Sequence, residues 1–392
     1  MNNRIETNLA ILKLTQQIDS LKEYTGYGGL HKSMRAEDYN NLKQVLSEQE
    51  FNNITASCKT AYYTPAEIIR FMYTALQNMG FTGGRVLDPA CGHGAFIFNM
   101  PDAMRLKSVI HAVELEGISA KLAKTICPYA KVLNRGFESV AYPKNSFDLI
   151  IGNPPYAKDK VTDPQYPEYS NLALHHYFVA KSIELLKEGG ILAMVLPQYC
   201  LDNLSEHPRE IMNKHGSLVA AYRLPDCLFG GAKITVDVVF YVKSKINDTR
   251  FTELQAVTVN NQSLKLNEYY LQHPEHIIGK LNTCNMFGER IGLTVSAEGT
   301  PASIFEKLNH LAAQLPVICK PKAEVSMASE VFGKVDQKIA ELRRDIDQVA
   351  TVLEGDLLKL ELEKYQKMKA LLITELNSKD QLIKMIINRL KL

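Results

Sequence analysis

Three short stretches of this 392-residue chain set polar groups where chemistry could use them. The first, DPACGHGAF at residues 88–96, puts a carboxylate, Asp88, at the tip of a short apolar run and follows it with a Gly-rich turn. Gly92 and Gly94 carry no Cβ, so a ligand can come close to the backbone there. The second is Glu114, which closes the next apolar run. A carboxylate in that place can accept both hydroxyls of a ribose, and the two acids together suggest an adenosine-type cofactor. The turn is not the GxGxxG dinucleotide fingerprint, because the spacing differs and Asp-Pro precedes the glycines, so no pyrophosphate is implied. The third is Asn153-Pro154-Pro155-Tyr156, directly after the apolar run FDLIIG at 147–152. Its prolines fix φ and lack N–H donors, so the loop is stiff and its carbonyls stay available. Tyr156 adds a flat face on which a planar group can stack.

These residues need a scaffold that brings strand tips together, and the first two thirds of the chain predict one. Apolar runs at 84–88, 108–116, 130–134, 147–152 and 191–197 alternate with helical segments, including ISAKLAKTICP and HHYFVAKSIELLKEGG, the latter expected to end on a Gly cap. Further strands are predicted in LVAAYRLP and VDVVFYVKS. Such alternation argues for an α/β protein with a mostly parallel sheet covered on both faces, which places ligands beyond the carboxyl ends of the strands. Beyond about residue 245 the pattern weakens into a mixed polar region. From Val335 apolar residues recur at Ile339, Leu342, Ile346, Val349 and Leu353, in the alternating steps of a heptad repeat. The expected organisation is an N-terminal helical segment (1–55), a catalytic domain (56–245), an accessory or recognition region (246–330) and a C-terminal helical or coiled-coil segment (331–392). The last is either a hairpin packed on its own domain or a contact for a second copy or a partner subunit.

Residues 84–96, 111–124 and 147–156, in that order, resemble the motifs of S-adenosylmethionine-dependent amino-methyltransferases that carry NPPY. Tyr63-Thr64-Pro65 resembles the N-terminal cofactor-binding motif of gamma-type DNA adenine-N6 methyltransferases. EYTGYGGL (23–30), GFES (136–139), HHYFVAKSIELL (175–186) and YYLQHPEHIIGKL (269–281) resemble a narrower group, the methylase domains of plasmid and phage helicase-methylase proteins; the chain carries no helicase motifs. The resemblance implies a Rossmann-like fold with a seven-stranded sheet, S-adenosylmethionine as cofactor and DNA as partner. Cofactor-site candidates are then Tyr63, Thr64, Pro65, Asp88, Ala90, Gly92 and Glu114, with Glu138 standing in for the acid of an Asp-Phe pair that many relatives carry where this chain has Gly136-Phe137. Asn153, Pro154, Pro155 and Tyr156 are the catalytic motif, and the adenine is expected to flip out of the duplex and stack on Tyr156 and Phe229.

The physical role of that motif follows from the acceptor. An exocyclic amine on a conjugated ring is a weak nucleophile because its lone pair is delocalised. Two carbonyl acceptors, the Asn153 side chain and the Pro154 backbone, favour the sp³-like nitrogen that attacks. Positioning supplies the rate, so no metal is required. NPPY does not name its acceptor, however: release-factor glutamine methyltransferases and some ribosomal-RNA methyltransferases use it or a variant, and some methyltransferase-like subunits bind DNA without methylating it.

Composition sets the outer limits. With 45 basic and 43 acidic residues the net charge is +2, so any nucleic-acid contact must come from a local patch, with Lys158, Lys160 and Lys233 as candidates. The seven scattered cysteines form no CxxC pair and suggest neither a disulfide framework nor a zinc site. No apolar run is long enough to span a bilayer, and a cytoplasmic protein is expected. His175 and His176 are expected in a core or helix-terminal role, and Cys91 has no activating histidine.

Overall fold

A computed structural model of the protein describes residues 18–27, 36–58, 62–229, 234–285 and 291–319, together with positions 4, 7, 8, 10, 11, 359, 362, 363 and 366. Met1–Cys319 form one compact unit and Lys320–Leu392 a second. The heptad positions from Val335 to Leu353 lie outside the described residues, as do 28–30 and Lys233. The expected boundaries at 55/56 and 245/246 fall inside the first unit.

Seven strands build its sheet: β1 Arg85–Asp88, β2 Val109–Glu114, β3 Lys131–Asn134, β4 Phe147–Gly152, β5 Leu186–Pro197, β6 Gly216–Leu224 and β7 Val236–Lys243. Their order is β3-β2-β1-β4-β5-β7-β6. The first five are parallel, and β7 runs antiparallel to both β5 and β6. This is the mostly parallel, seven-stranded α/β architecture expected from the sequence. Chain order reverses at β1, which lies between β2 and β4, so the tips of these three strands line the crevice where ligands bind in open parallel sheets.

The apolar runs are continuous because both faces are covered. Along β5, Ile191, Ala193 and Val195 enter one core while Leu192, Met194 and Leu196 enter the other, the two-residue period of a pleated strand. The first core receives Ile68, Ile69, Phe71, Met72 and Leu76 of the helix Ala66–Asn78, the buried face of Gly117–Ile126, and Ile304, Leu308 and Leu311 of Pro301–Ala312. The second receives Tyr177, Phe178, Val179 and Ile183 of the helix Leu174–Leu185. Each such fully buried side chain contributes about 1.5–3 kcal/mol of transfer free energy.

Two features depart from the sequence reading. The helix before β5 stops at Leu185 and the strand begins at once, with Gly189 (φ +72) in an irregular stretch where pairing jumps from Phe147–Leu186 to Leu149–Ile191. Gly189 therefore serves a bulge in place of the expected helix cap. The region after 245 contains two hairpins, Leu254–Val259 with Gln262–Asn267 and Lys280–Asn285 with Ile291–Ser296. The first turns through Asn260 and Asn261, both at positive φ, as a two-residue hairpin loop requires.

This region is fastened to the sheet by a buried charge cluster. The Arg223 guanidinium donates to both oxygens of Asp237 at 2.8 Å and to Asp202 at 2.6 Å, and lies 4.3 Å over the Tyr270 ring. Asp202 also accepts the backbone N–H of Asn267 at 3.0 Å. Removing one partner of a buried charge cluster typically costs about 3–5 kcal/mol, because the remaining charge is stranded.

Candidate active site

The acids predicted from sequence occupy neighbouring strand tips. Asp88 ends β1, is 1% exposed, and accepts the Ala90 N–H on Oδ1 at 3.1 Å, while its Oδ2 is buried without a hydrogen-bond partner among the described residues. Gly152 at the end of β4 permits this packing, since a Cβ there would sit 2.7 Å from Oδ1. Glu114 ends β2 and accepts the Gly92 N–H at 2.8 Å on one oxygen and the Glu116 N–H at 2.7 Å on the other. Burial pushes Glu114 up to about 7 despite these donors, and pushes Asp88 well above the carboxylate range. Each Glu114 oxygen keeps a second lone pair for a ligand hydroxyl.

The Tyr63 ring walls this crevice. A Cβ on Gly92 (φ +55) would come within 2.9 Å of it, and one on Gly26 (φ +60) would overlap it from the N-terminal segment. The Ser119 hydroxyl donates to the Glu116 carboxylate at 2.8 Å, so the Tyr63 hydroxyl, 2.8 Å from Ser119 Oγ, is the donor in that pair. Glu116 in turn caps the helix Gly117–Ile126 through the N–H groups of Ile118 and Ser119. Tyr24 and His93 stand edge-on or tilted against Tyr63 at 5.8 and 4.9 Å, and His93 Nε2 lies 3.1 Å from the Lys22 carbonyl. Burial pushes His93 down to about 4, so it stands there as a neutral ring. Sequence reasoning missed Gly26, Glu116 and Ser119; an acid beside Glu114 and a serine in the next helix turn carry no local signal of a contact with Tyr63.

Asn153 follows β4. Its Nδ2 donates to the Tyr62 carbonyl at 3.0 Å and contacts Thr64 Oγ1 at 3.1 Å, while its Oδ1 is buried without a partner among the described residues. The Tyr62 carbonyl can only accept, which settles which end of the amide faces it. Thr64, expected at the cofactor, thus lies against the catalytic-motif residue. Pro65 is the residue from which the helix Ala66–Asn78 starts, its carbonyl accepting from Ile68 and Ile69.

Beyond Asn153, Pro154 is buried and Pro155 partly so. The half-buried Tyr156 donates its hydroxyl to the Val195 carbonyl of β5 at 3.1 Å, which fixes the ring. The downstream loop is tied down by Lys181, which donates to Asp163 at 2.8 Å and to the carbonyls of Phe137 and Val140 at 2.7 and 3.2 Å. Phe229 is 4% exposed, in the apolar cluster against which Tyr156 packs. The Glu138 carboxylate folds over Gly136. Burial pushes His175 and His176 down to about 3 and about 4, marking them as neutral core rings, and pushes the Cys91 thiol well up, so it stays protonated. Lys158 and Lys160 are exposed.

Parts of the chain are similar to known proteins. Residues 97–224, which include Glu114 and Asn153, match the Eco57I restriction-modification methylase family. The chain is 26% identical over 207 residues to the defense against restriction protein B of Escherichia phage P1, covering 51% of this chain and 9% of that protein. It is 27% identical over 198 residues to the type II methyltransferase M.HincII of Haemophilus influenzae, covering 47% and 37%. The chain therefore spans well under half the length of either relative. Among solved structures, the type I restriction-modification system methyltransferase subunit from Streptococcus thermophilus aligns with 71% of this chain and 62% of its own, at 16% identity and a TM-score of 0.43. Over residues 97–224, which run from the helix after β1 to the end of β6, the chain is thus similar to Eco57I restriction-modification methylases.

Proposed function

We propose that this protein methylates the N6 amine of adenine in DNA, with the base flipped into the pocket beside Asn153. The observation that carries this reading is the clamped carboxamide. Because Tyr62 and Thr64 hold the nitrogen end of Asn153, its Oδ1 is left as a buried acceptor with no partner among the described residues. An amine N–H satisfies that acceptor, and an unsatisfied buried carbonyl costs about 1–3 kcal/mol until one arrives. The Pro154 carbonyl accepts the second N–H, drawing the nitrogen toward the pyramidal geometry of attack, and the Tyr156 ring, anchored on Val195, supports the base.

The residues at the strand tips fit the cofactor. S-adenosylmethionine supplies the methyl group from its sulfonium. Glu114 offers its two remaining lone pairs to ribose hydroxyls, the unpartnered Asp88 Oδ2 answers an ammonium, and Gly92 lets the ligand lie against the backbone. An ammonium beside Asp88 also restores the charge that burial suppresses in the free protein. Tyr63, Thr64, Pro65 and Ala90 shape this end of the crevice, and Glu138 and Phe229 remain proposed contacts of cofactor and base. Likeness to a type II methyltransferase and to a phage protein of defense against restriction supports a role on DNA in restriction-modification or its evasion. Among the described residues no helix is long and apolar enough to cross a membrane.

The deciding experiment is transfer of labelled methyl from S-adenosylmethionine to unmethylated plasmid, followed by nucleoside digestion. N6-methyladenine made by the wild type and not by Asn153→Ala is the expected result. Label found only in RNA or in protein glutamine overturns the DNA assignment. For the C-terminal heptads we propose a contact with a second copy or a partner subunit: truncation before Val335 is expected to lower the mass seen by light scattering, and an unchanged mass rejects self-association.

A further inference from the structure

The segment 269–281 holds a constellation that methyl transfer does not use. A turn at Pro274–His276 gathers His273, Glu275 and His276 so that one ligand atom from each lies within 4.8 Å of the others. Glu275 Oε1 is 3.5 Å from His273 Nδ1 and 3.7 Å from His276 Nε2. Both separations are too long for good hydrogen bonds. They lie close to the ligand-to-ligand edge of a metal shell, because donors about 2.0–2.2 Å from a zinc ion stand about 3.3–3.7 Å apart at tetrahedral to trigonal angles.

The surroundings are organised to hold this arrangement. The far nitrogen of His276, Nδ1, lies 2.7 Å from the hydroxyl of Tyr269, itself 1% exposed; a ligating imidazole ordinarily has such an outer partner, which fixes its tautomer and ring plane. The His276 ring packs 4.6 Å from Tyr222 of β6, the edge strand, and the His273 ring lies parallel to it within 19°. Directly after the turn, Ile278 N–H donates to the Arg223 carbonyl at 2.9 Å, pinning the segment to the sheet. The side chains of His273 and Glu275 are 40% and 49% exposed, leaving an open side for water to complete the shell. The nearby cation is Lys307, whose Nζ lies 3.4 Å from the Ile277 carbonyl; the Glu275 charge opposes it.

We propose that His273, Glu275 and His276 form a binding site for a borderline divalent transition metal, with Zn²⁺ as the reference ion, which locks the post-sheet segment onto the β6 edge. Two imidazoles and one carboxylate suit Zn²⁺, Co²⁺ or Ni²⁺ and disfavour Mg²⁺ or Ca²⁺, which take oxygen shells. The proposal gives this site no part in the transfer chemistry.

The test uses the full chain, with Glu275→Gln and His273→Asn as variants because these side chains are substantially exposed and leave His276 packed. Competition against a chromophoric chelator is expected to show one Zn²⁺ per wild-type chain, with affinity lowered about 10-fold or more in each variant. The Co²⁺ adduct is expected to lack a sulfur-to-cobalt charge-transfer band, and Zn²⁺ to raise Tm in the wild type more than in either variant. Absence of a stoichiometric ion, equal affinity in wild type and both variants, or a thiolate band showing that cysteines hold the metal overturns the proposal.

Discussion

The two sides of the crevice prepare for their ligands by opposite means. On the proposed reading, the recognition groups at the tips of β1 and β2 are acids whose charge is suppressed by burial, so a ligand must bring the polarity that lets them ionise. At the tip of β4 the group is a neutral amide that needs no ionisation, and its direction is set in advance by two hydrogen bonds. On that reading the first arrangement is expected to make cofactor binding sensitive to pH and charge. The second makes the chemical step sensitive to geometry, since a carbonyl acceptor works only when aimed.

The largest predicted effect separates the two sides outright. Asn153→Ala removes the carboxamide, the acceptor together with its clamped nitrogen, and is expected to lower methyl transfer at least about 10²–10³-fold, the scale of losing one preorganised group, with cofactor affinity unchanged by calorimetry. A comparable loss of cofactor binding would erase the division. Glu114→Gln acts on the other side: losing charge-assisted hydrogen bonds worth about 1.5–3 kcal/mol should weaken cofactor binding about 10- to 100-fold, while saturating cofactor restores most of kcat.

Acidity sharpens the contrast. Because Glu114 titrates at about 7 in the folded chain, its carboxylate is present above that pH and lost below it, so cofactor affinity should fall by up to about 10-fold from pH 8 to pH 6. Stability moves the other way. With this pKa raised from 4.5, the folded chain holds more protons than the unfolded one across the interval to about 7, so the Glu114 contribution to stability falls as pH rises through that window. A pH-independent cofactor affinity would place Glu114 outside the binding set. The smallest effect belongs to Thr64. Thr64→Val removes one of the two partners of the Asn153 amide and should lower kcat about 2- to 10-fold with cofactor affinity unchanged, and Thr64→Ser should restore it. A change in cofactor affinity without one in kcat would return Thr64 to the cofactor side.

These distinctions follow the line between what local sequence encodes and what it does not. The runs that became β1 to β7 were legible because strands buried on both faces are continuously apolar, and Asp88, Glu114 and Asn153 were legible because they end such runs. The clamp on Asn153 was not, since it joins residues 89 and 91 positions apart, and neither sequence neighbourhood signals the contact. The hairpins after 245 escaped for another reason: strands such as QSLKLN lie largely at the surface and lack a strong apolar alternation. At Gly189 the local rule, glycine after a helix, lost to sheet pairing that drew the strand start back to Leu186.

The placement of Tyr63 between Gly26 and Gly92 bears on how the molecule reaches its working state. Three stretches remote in sequence must converge before that wall exists, so loop-closure entropy is lost before the contacts repay it. The crevice is then expected to be among the last features to mature as the chain folds, after helices and neighbouring strands have formed. In refolding experiments the recovery of cofactor binding should trail the recovery of secondary structure, and the ligand itself should act as a thermodynamic trap for the finished fold.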